Sequence, residues 1–201
     1  DLRIEERNDK RFIYSSRKNY PNAAEYFIPS DISSASFLIV LALLTKNSTL
    51  VIRNVSLNKT RTGLLEHLIK MGAKIKYENI NSSMQETYGD LIVESSHLKN
   101  IPIDKNQIPN LIDEIPALSI AGFFAEGFFE VRNAKELRVK ESDRISSIVK
   151  NFKLLGVEIE EYEDGFAIIG KEILNLVLLE SYDDHRIAMA FGILFSLLKD
   201  G

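Results

Sequence analysis

One short pattern occurs three times in this chain and limits the folds that it can adopt. Asp31, Asp113 and Asp184 each stand four residues before an alanine, and an apolar stretch follows each of them. The spacings are 82 residues (31 to 113) and 71 residues (113 to 184), which indicates a fold built from repeated units. The apolar stretches are hydrophobic on nearly all sides and predict buried helices, each of which its aspartate could cap.

The first two copies continue with the same order of elements. Residues 49–54 and 128–133 read as strands, and amphipathic stretches near 62–71 and 142–155 predict helices that lie outside the buried ones. Further strands are predicted at 73–77, 91–94, 157–162 and 166–169. If the short segment before each aspartate is also a strand, each unit is βαβαββ and the fold class is α/β (α+β).

The second copy carries an insertion at the start of its amphipathic helix. Asn54 and Gly72 are 18 positions apart in the first copy, whereas Asn133 and Gly156 are 23 positions apart in the second. The five additional residues fall around 137–144, which read Leu-Arg-Val-Lys-Glu-Ser-Asp-Arg. A longer, charged loop at a helix N-terminus is a common place for functional residues.

Lys140, Glu141 and Arg144 form the most informative group in this insertion. Two cations on either side of a carboxylate, next to free helix N–H groups, suit an anion-binding site that contains an acid or base. The alternative is a solvated first turn with a local ion pair. The coincidence of insertion, helix start and repeat favours the functional interpretation.

Asp113 and the segment Asp184-His185-Arg186 supply the other candidates. Asp113 either caps its helix or faces a ligand, and the sequence leaves both interpretations open. Arg186 in the first turn of a helix opposes the helix dipole, and so does Arg144. That cost hints at an anionic ligand, with an ordinary surface pair as the alternative.

Composition excludes several other classes of function. The net charge of −4 and a pI of 5.5 argue against a nucleic-acid partner, and the longest apolar run, 37–44, is too short to span a bilayer. The chain has no cysteine, so it suits a reducing cytoplasm and has no thiolate metal ligands. No two histidines have metal-ligand spacing, and His67 is predicted on the polar side of its helix. We therefore expect a cytoplasmic protein with no metal and no membrane partner.

Four motifs occur in a fixed order along the chain. They read Asp-Ile-Ser-Ser-Ala-Ser-Phe at 31–37, Leu-Ile-Asp-Glu-Ile-Pro at 111–116, Leu-Arg-Val-Lys-Glu-Ser-Asp-Arg at 137–144 and Asp-His-Arg-Ile-Ala-Met at 184–189. Together they resemble the 5-enolpyruvylshikimate-3-phosphate synthase family. The resemblance implies an inside-out α/β barrel lobe built from βαβαββ repeats, one of two lobes that bind substrates between them.

The resemblance also implies the reaction and the catalytic residues. An enolpyruvyl group would pass from phosphoenolpyruvate to the 5-hydroxyl of shikimate 3-phosphate, with release of phosphate and without a metal or organic cofactor. Asp113 resembles the residue that accepts the hydroxyl proton, and Glu141 the group that moves protons at the enolpyruvyl methylene. His185 resembles a polar helper near them.

Four further residues resemble the family's substrate ligands. Lys140 resembles a contact of the shikimate 3-phosphate, and Glu136 resembles another. Arg144 and Arg186 resemble ligands of phosphoenolpyruvate. The expected partners are therefore these two small anions and the other lobe.

The chain departs from the family pattern at both ends. Residues 1–28 resemble the last strands of the other lobe, and 29–201 resemble most of one lobe. The third copy stops at 199–201, where its first strand should begin, so we expect the C-terminal end of the lobe to be missing. The family's N-terminal Lys-Ser…Arg segment, its Ser-Ser-x-Gln residues, the phosphoenolpyruvate-binding Arg of the other lobe and its late Lys have no counterpart here. We expect the 201-residue chain alone to be inactive.

Two alternatives remain at this point. The related enolpyruvyl transferase that acts on UDP-N-acetylglucosamine shares the fold, although the motifs at 137–144 and 184–189 favour the shikimate enzyme. A noncatalytic, folded remnant is the other alternative, and the intact charged motifs argue against it.

Overall fold

The computed structural model describes residues 3–15, 23, 25–83, 86–175 and 177–198. Its helices are α1 (Ile32–Leu44), α2 (Gly63–Lys70), α3 (Ile108–Leu111), α4 (Ile115–Phe124), α5 (Arg144–Leu154) and α6 (His185–Leu197). Its strands are β1 (Arg3–Arg7), β2 (Lys10–Tyr14), β3 (Thr49–Ser56), β4 (Lys74–Ser83), β5 (Glu86–Glu94), β6 (Phe129–Val131), β7 (Ile159–Tyr162) and β8 (Gly165–Ile168). Short 3-10 helices cover Ile112–Glu114 and Lys135–Val139.

Two three-stranded sheets have the same topology and confirm the first two copies of the repeat. Their strand orders are β3-β5-β4 and β6-β8-β7, so the last strand in sequence lies in the middle of each sheet. All of these pairings are antiparallel, with Ile52 opposite Leu91 in one sheet and Val131 opposite Phe166 in the other. The mixed α/β class predicted from the sequence is therefore correct.

The three apolar helices pack against one another, as the sequence predicts. α1, α4 and α6 are in mutual contact, and every residue of α4 except Phe124 is buried. The amphipathic helices lie outside this group, α2 against β4 and α5 against β7 and β8. Phe152 of α5 contacts Phe123 of α4 and Phe191 of α6, with ring centroids 5.4 Å and 5.2 Å apart.

Among the described residues, the segments before the three aspartates do not form the strands that the predicted βαβαββ unit requires. Ser30 forms one isolated parallel bridge with Val55, and Lys99 forms another with Glu126, but neither belongs to a strand. The residues before Asp113 form α3 and a 3-10 helix instead. Within the described part of 171–183 there is no strand either. The observed units are therefore αβαββ with isolated bridges, because these segments pair through single residues only.

His67 is a second correction. It was predicted on the polar side of α2, yet it is 1% exposed and its Nε2 has no hydrogen-bond partner. Burial, and to a smaller extent the charge of Lys70, lowers its pKa to about 4. The imidazole is therefore a neutral core group at ordinary pH.

The N-terminal hairpin stands apart from the repeat. β1 pairs with β2, and all residues of the two strands except Glu5 are exposed. Residues 16–22 and 199–201, which include part of the expected lobe boundary and the expected end of the third copy, lie outside the described residues. No described helix is long and apolar enough to cross a membrane.

Candidate active site

The predicted site residues meet at the N-termini of α4, α5 and α6. The carboxylate of Asp113 lies just before α4, and its Oδ1 is 3.5 Å from Lys140 Nζ and 3.2 Å from Arg144 Nη1. Lys140 lies in the insertion before α5, and Arg144 is the first residue of α5. The expectation that these side chains share one surface is confirmed.

Arg144 joins two of the helix N-termini from a buried position. Its side chain is 2% exposed, and its Nε lies 2.7 Å from Asp184 Oδ2 while Nη2 lies 3.4 Å from Oδ1. Asp184 in turn caps α6 by accepting the Arg186 N–H at 2.9 Å and also accepts the Ser142 hydroxyl at 3.1 Å. Burial alone would raise the pKa of Asp184, but these hydrogen bonds and the Arg144 charge hold it below its ordinary value.

Arg144 was predicted to bind phosphoenolpyruvate. Its guanidinium is engaged by Asp184 and Asp113, so an anionic ligand would have to share it with two carboxylates. The ligand role stays a prediction. What the geometry assigns to Arg144 is a link between the helix N-termini.

Glu141 and His185 form an accessible acid–base pair. His185 Nδ1 lies 2.7 Å from Glu141 Oε2, and the two side chains are 57% and 49% exposed. Arg144 Nη2 is 3.8 Å from the same Glu141 oxygen. A carboxyl and an imidazole in direct contact can exchange a proton with each other and with a ligand above them.

Arg186 and Glu136 complete the group. Arg186 Nη1 donates to the backbone carbonyl of Asp113 at 3.1 Å, which ties the first turn of α6 to the turn before α4. Glu136, 65% exposed, lies 2.8 Å from Lys140 Nζ. Its hydrogen bond, together with the Asp113 charge, raises the pKa of Lys140 above its ordinary value despite partial burial.

The structure rules out one of the two interpretations of Asp113, the helix cap; its role towards a ligand stays a prediction. Asp31 and Asp184 cap their helices, with Asp31 accepting the N–H groups of Ser33 and Ser34. Asp113 does not, because a 3-10 helix places Glu114 at the cap position of α4, and no side chain caps that helix. The Asp113 carboxylate is therefore free to face the two cations.

Sequence reasoning missed a buried carboxyl beside Asp113. Glu114 is 2% exposed and accepts a hydrogen bond from the hydroxyl of Ser33, to which Arg61 Nη2 also donates at 2.7 Å. Burial raises the pKa of Glu114, while Ser33, Arg61 and Arg186 oppose that rise. The one signal in the sequence that could have pointed to Glu114 is its position next to Asp113.

One group of potential metal ligands lies within the site. Oxygen and nitrogen atoms of Glu141, Asp184 and His185 lie within 4.8 Å of one another. The Arg144 guanidinium already contacts both carboxylates, so a metal ion there would face a buried cation at short range. The donor set suits proton transfer better than metal binding.

Comparisons with known proteins agree with one another. A family model described as EPSP synthase (3-phosphoshikimate 1-carboxyvinyltransferase) matches residues 1–200. The chain is 48% identical over 187 residues to the 3-phosphoshikimate 1-carboxyvinyltransferase of Leptospira interrogans and 54% identical over 170 residues to that of Petrotoga mobilis. These matches cover 88% and 84% of the chain, but only 42% and 39% of the relatives.

Solved structures give the same result. A structure of EPSP synthase from Acinetobacter baumannii superposes with a TM-score of 0.78 at 42% sequence identity. The match covers 83% of this chain and 39% of that one. The chain thus spans about two fifths of the length of the proteins it matches.

Proposed function

Because the chain belongs to the EPSP synthase family, we propose that it carries part of the site that transfers an enolpyruvyl group from phosphoenolpyruvate to shikimate 3-phosphate. The observation that supports this most is the meeting of Asp113, two cations and the Glu141–His185 pair at three helix N-termini. Both substrates are anions, and the reaction needs groups that take up and return protons. This group of side chains offers both properties on one surface.

The chemistry assigns a task to each carboxyl. Asp113 accepts the proton of the 5-hydroxyl while the hydroxyl oxygen forms a bond to C2 of phosphoenolpyruvate. Glu141 delivers a proton to C3, which becomes a methyl group. The tetrahedral intermediate then breaks its C2–O bond to phosphate, which leaves with the proton held by Asp113, and a proton returns from the methyl group to Glu141. His185 Nδ1, 2.7 Å from Glu141 Oε2, holds that carboxyl in place and can hydrogen-bond to it in both its protonated and its ionised form.

The cations bind the substrates in this proposal. Lys140 contacts the phosphate of shikimate 3-phosphate, with Glu136 beside it at the exposed rim. Arg186 binds phosphoenolpyruvate, and Arg144 supports it from its buried position. Electrostatic stabilisation of the developing charge is the largest contribution that such donors make to catalysis.

Arg186→Ala tests the binding assignment. In a protein of family length that contains this chain, we expect it to weaken phosphoenolpyruvate binding by roughly 2–5 kcal/mol, the range for a desolvated charge pair. Affinity for shikimate 3-phosphate should change much less. Isothermal titration with each ligand measures both, and equal loss for the two ligands would contradict the assignment.

We infer that the architecture is also that of the family. The two sheets and the inner helices α1, α4 and α6 support an inside-out α/β barrel lobe over 29–201. The separate hairpin of β1 and β2 supports the assignment of 1–28 to the other lobe. The proposed partners are thus the two substrates and that second lobe, which would supply the remaining ligands.

A direct binding comparison tests the function itself. A protein of family length that contains this chain is titrated with shikimate 3-phosphate and with UDP-N-acetylglucosamine. We expect saturable binding of the first, strengthened by phosphoenolpyruvate, and none of the second. The reverse preference would support the UDP-sugar enzyme, and binding of neither would support a noncatalytic role.

A further inference from the structure

A buried contact links the first copy of the repeat to the second, right beside the proposed base. The carboxyl of Glu114 is 2% exposed and accepts the hydroxyl of Ser33, which is 1% exposed in the first turn of α1. Arg61, from the loop before α2, donates to the same hydroxyl. The three residues come from three different elements, so the contact fixes their relative positions.

Glu114 shares a short 3-10 helix with Asp113. This helix covers Ile112–Glu114. The Asp113 side chain contacts Lys140 and Arg144, whereas the Glu114 side chain is buried in the interior. Asp31 and Asp184 are each held by helix N–H groups, but Asp113 has no such bond. The direction of its carboxylate therefore depends on how the turn itself is anchored.

We propose that Glu114 is a positioning residue that, through Ser33, anchors this turn and so directs the Asp113 carboxylate at Lys140 and Arg144. The inference rests on the proposed function, in which Asp113 is the proton acceptor. A base must lie within hydrogen-bond reach of its proton, and small displacements of a catalytic group reduce rate strongly. A buried carboxyl placed one residue away provides the rigidity that a helix cap provides in the other two copies.

A purely structural role for Glu114 makes a different prediction. In that case, breaking the buried hydrogen bond between Ser33 and Glu114 would lower the stability of the fold but would leave the contact between Asp113 and Lys140 unchanged. The pKa of Lys140 separates the two cases because Glu136, and after it Asp113, raises this pKa, whereas Glu114 is not among its main causes. It therefore reports the Asp113–Lys140 contact without requiring catalysis.

The experiment measures the Lys140 pKa by carbon-13 NMR titration of the 201-residue chain. Asp113→Asn gives the value without the Asp113 charge. Ser33→Ala breaks the anchor and leaves every charge in place, Glu114→Gln keeps an acceptor for Ser33, and Glu114→Ala removes the anchor entirely. Ser36→Ala is the matched control, because Ser36 is also a buried hydroxyl of α1 but donates to the Ser33 carbonyl.

We expect Ser33→Ala and Glu114→Ala to lower the Lys140 pKa towards the Asp113→Asn value, with Glu114→Gln and Ser36→Ala close to the original. In the Asp113→Asn background none of them should lower it further, as coupled residues behave. An unchanged Lys140 pKa in well-folded Ser33→Ala would overturn the proposal, and so would an equal fall in the Asp113→Asn background. Neither result depends on substrate binding, so failure of the proposed function would be seen separately.

Discussion

At the scale of single residues, Arg144 shows how one buried cation organises several carboxylates. It pairs with Asp184, contacts Asp113 and lies near Glu141, while its own side chain is almost fully buried. A buried charge of this kind is tolerated only when its hydrogen-bonding groups are satisfied. Arg144 therefore gathers these carboxylates at one place, while Asp113 and Glu141 remain partly exposed.

Glu141→Gln should separate catalysis from binding. The substitution keeps shape and hydrogen bonding but removes the proton that the proposed mechanism moves. In a protein of family length that contains this chain, we expect turnover to fall about 100-fold or more, with little change in substrate affinity. Steady-state kinetics and equilibrium titration measure the two effects, and Glu78→Gln, at an exposed position of β4 outside the site, is the control. A comparable loss of affinity would point to a binding role for Glu141.

His67 should make the chain less stable in acid. Its pKa is lowered by burial to about 4 from 6.5, so below pH 6.5 the unfolded state binds a proton that the folded state refuses. Stability contributed by neutral His67 is present above pH 6.5 and is lost as the pH falls towards 4. Between pH 7 and pH 4.5 we expect this residue to account for about 2 kcal/mol of lost stability.

Urea unfolding at the two pH values measures that loss. His67→Leu should reduce the pH dependence by about this amount. Identical pH dependence in His67→Leu and the original chain would show that His67 does not carry the effect.

At the scale of elements, the inner helices differ in how closely a sheet approaches them. Gly122 of α4 lies against the ring of Phe129 in β6, so closely that a Cβ would overlap the ring. Gly192 of α6 has no atom within 4 Å of the equivalent position, and within the described residues α6 has no sheet of its own. The two glycines therefore serve different purposes although both interrupt apolar helices.

Alanine substitutions at the two glycines should have opposite effects on stability. Gly122→Ala forces Phe129 or the strand to move, and we expect a loss of about 1–3 kcal/mol. Gly192→Ala restricts the unfolded chain without a clash, and we expect a gain of about 0.5–1 kcal/mol. Chemical denaturation of the two variants side by side provides the measurement. Destabilisation by Gly192→Ala would mean that this face of α6 is covered in solution.

At the scale of the whole molecule, the proposed site is open on the side where Glu141 and His185 are exposed. Each is about half exposed, so charges there are screened by water, which weakens every contact with an anion. Catalysis needs donors that surround the developing charge in a fixed geometry. In the proposed architecture these donors come from two lobes, and the chain spans 42% or less of the relatives described above.

The 201-residue chain alone should therefore release no phosphate from phosphoenolpyruvate and shikimate 3-phosphate. A colorimetric phosphate assay checks this, with a family protein of full length as the positive control. Release at a rate comparable to that control would contradict the two-lobe site and would require all the reacting groups to lie in this chain.

The sequence alone determined the three buried helices, the sheet strands and amphipathic helices of the first two copies, and the chemistry available at the helix N-termini. These follow from periodicity and residue type, which act over a few neighbouring positions. The family motifs also identified the side chains that meet in the site. What they bind stays a prediction.

Only the tertiary structure decided which partner each charge takes. Asp113 faces Lys140 and Arg144 instead of capping α4, and Glu114 is held by Ser33, 81 residues away in the chain. His67 is buried because neighbouring elements cover it, which the pattern of its own helix does not reveal. Burial and ion pairing depend on which distant segments of the chain pack against a residue, and the local sequence pattern does not determine that packing.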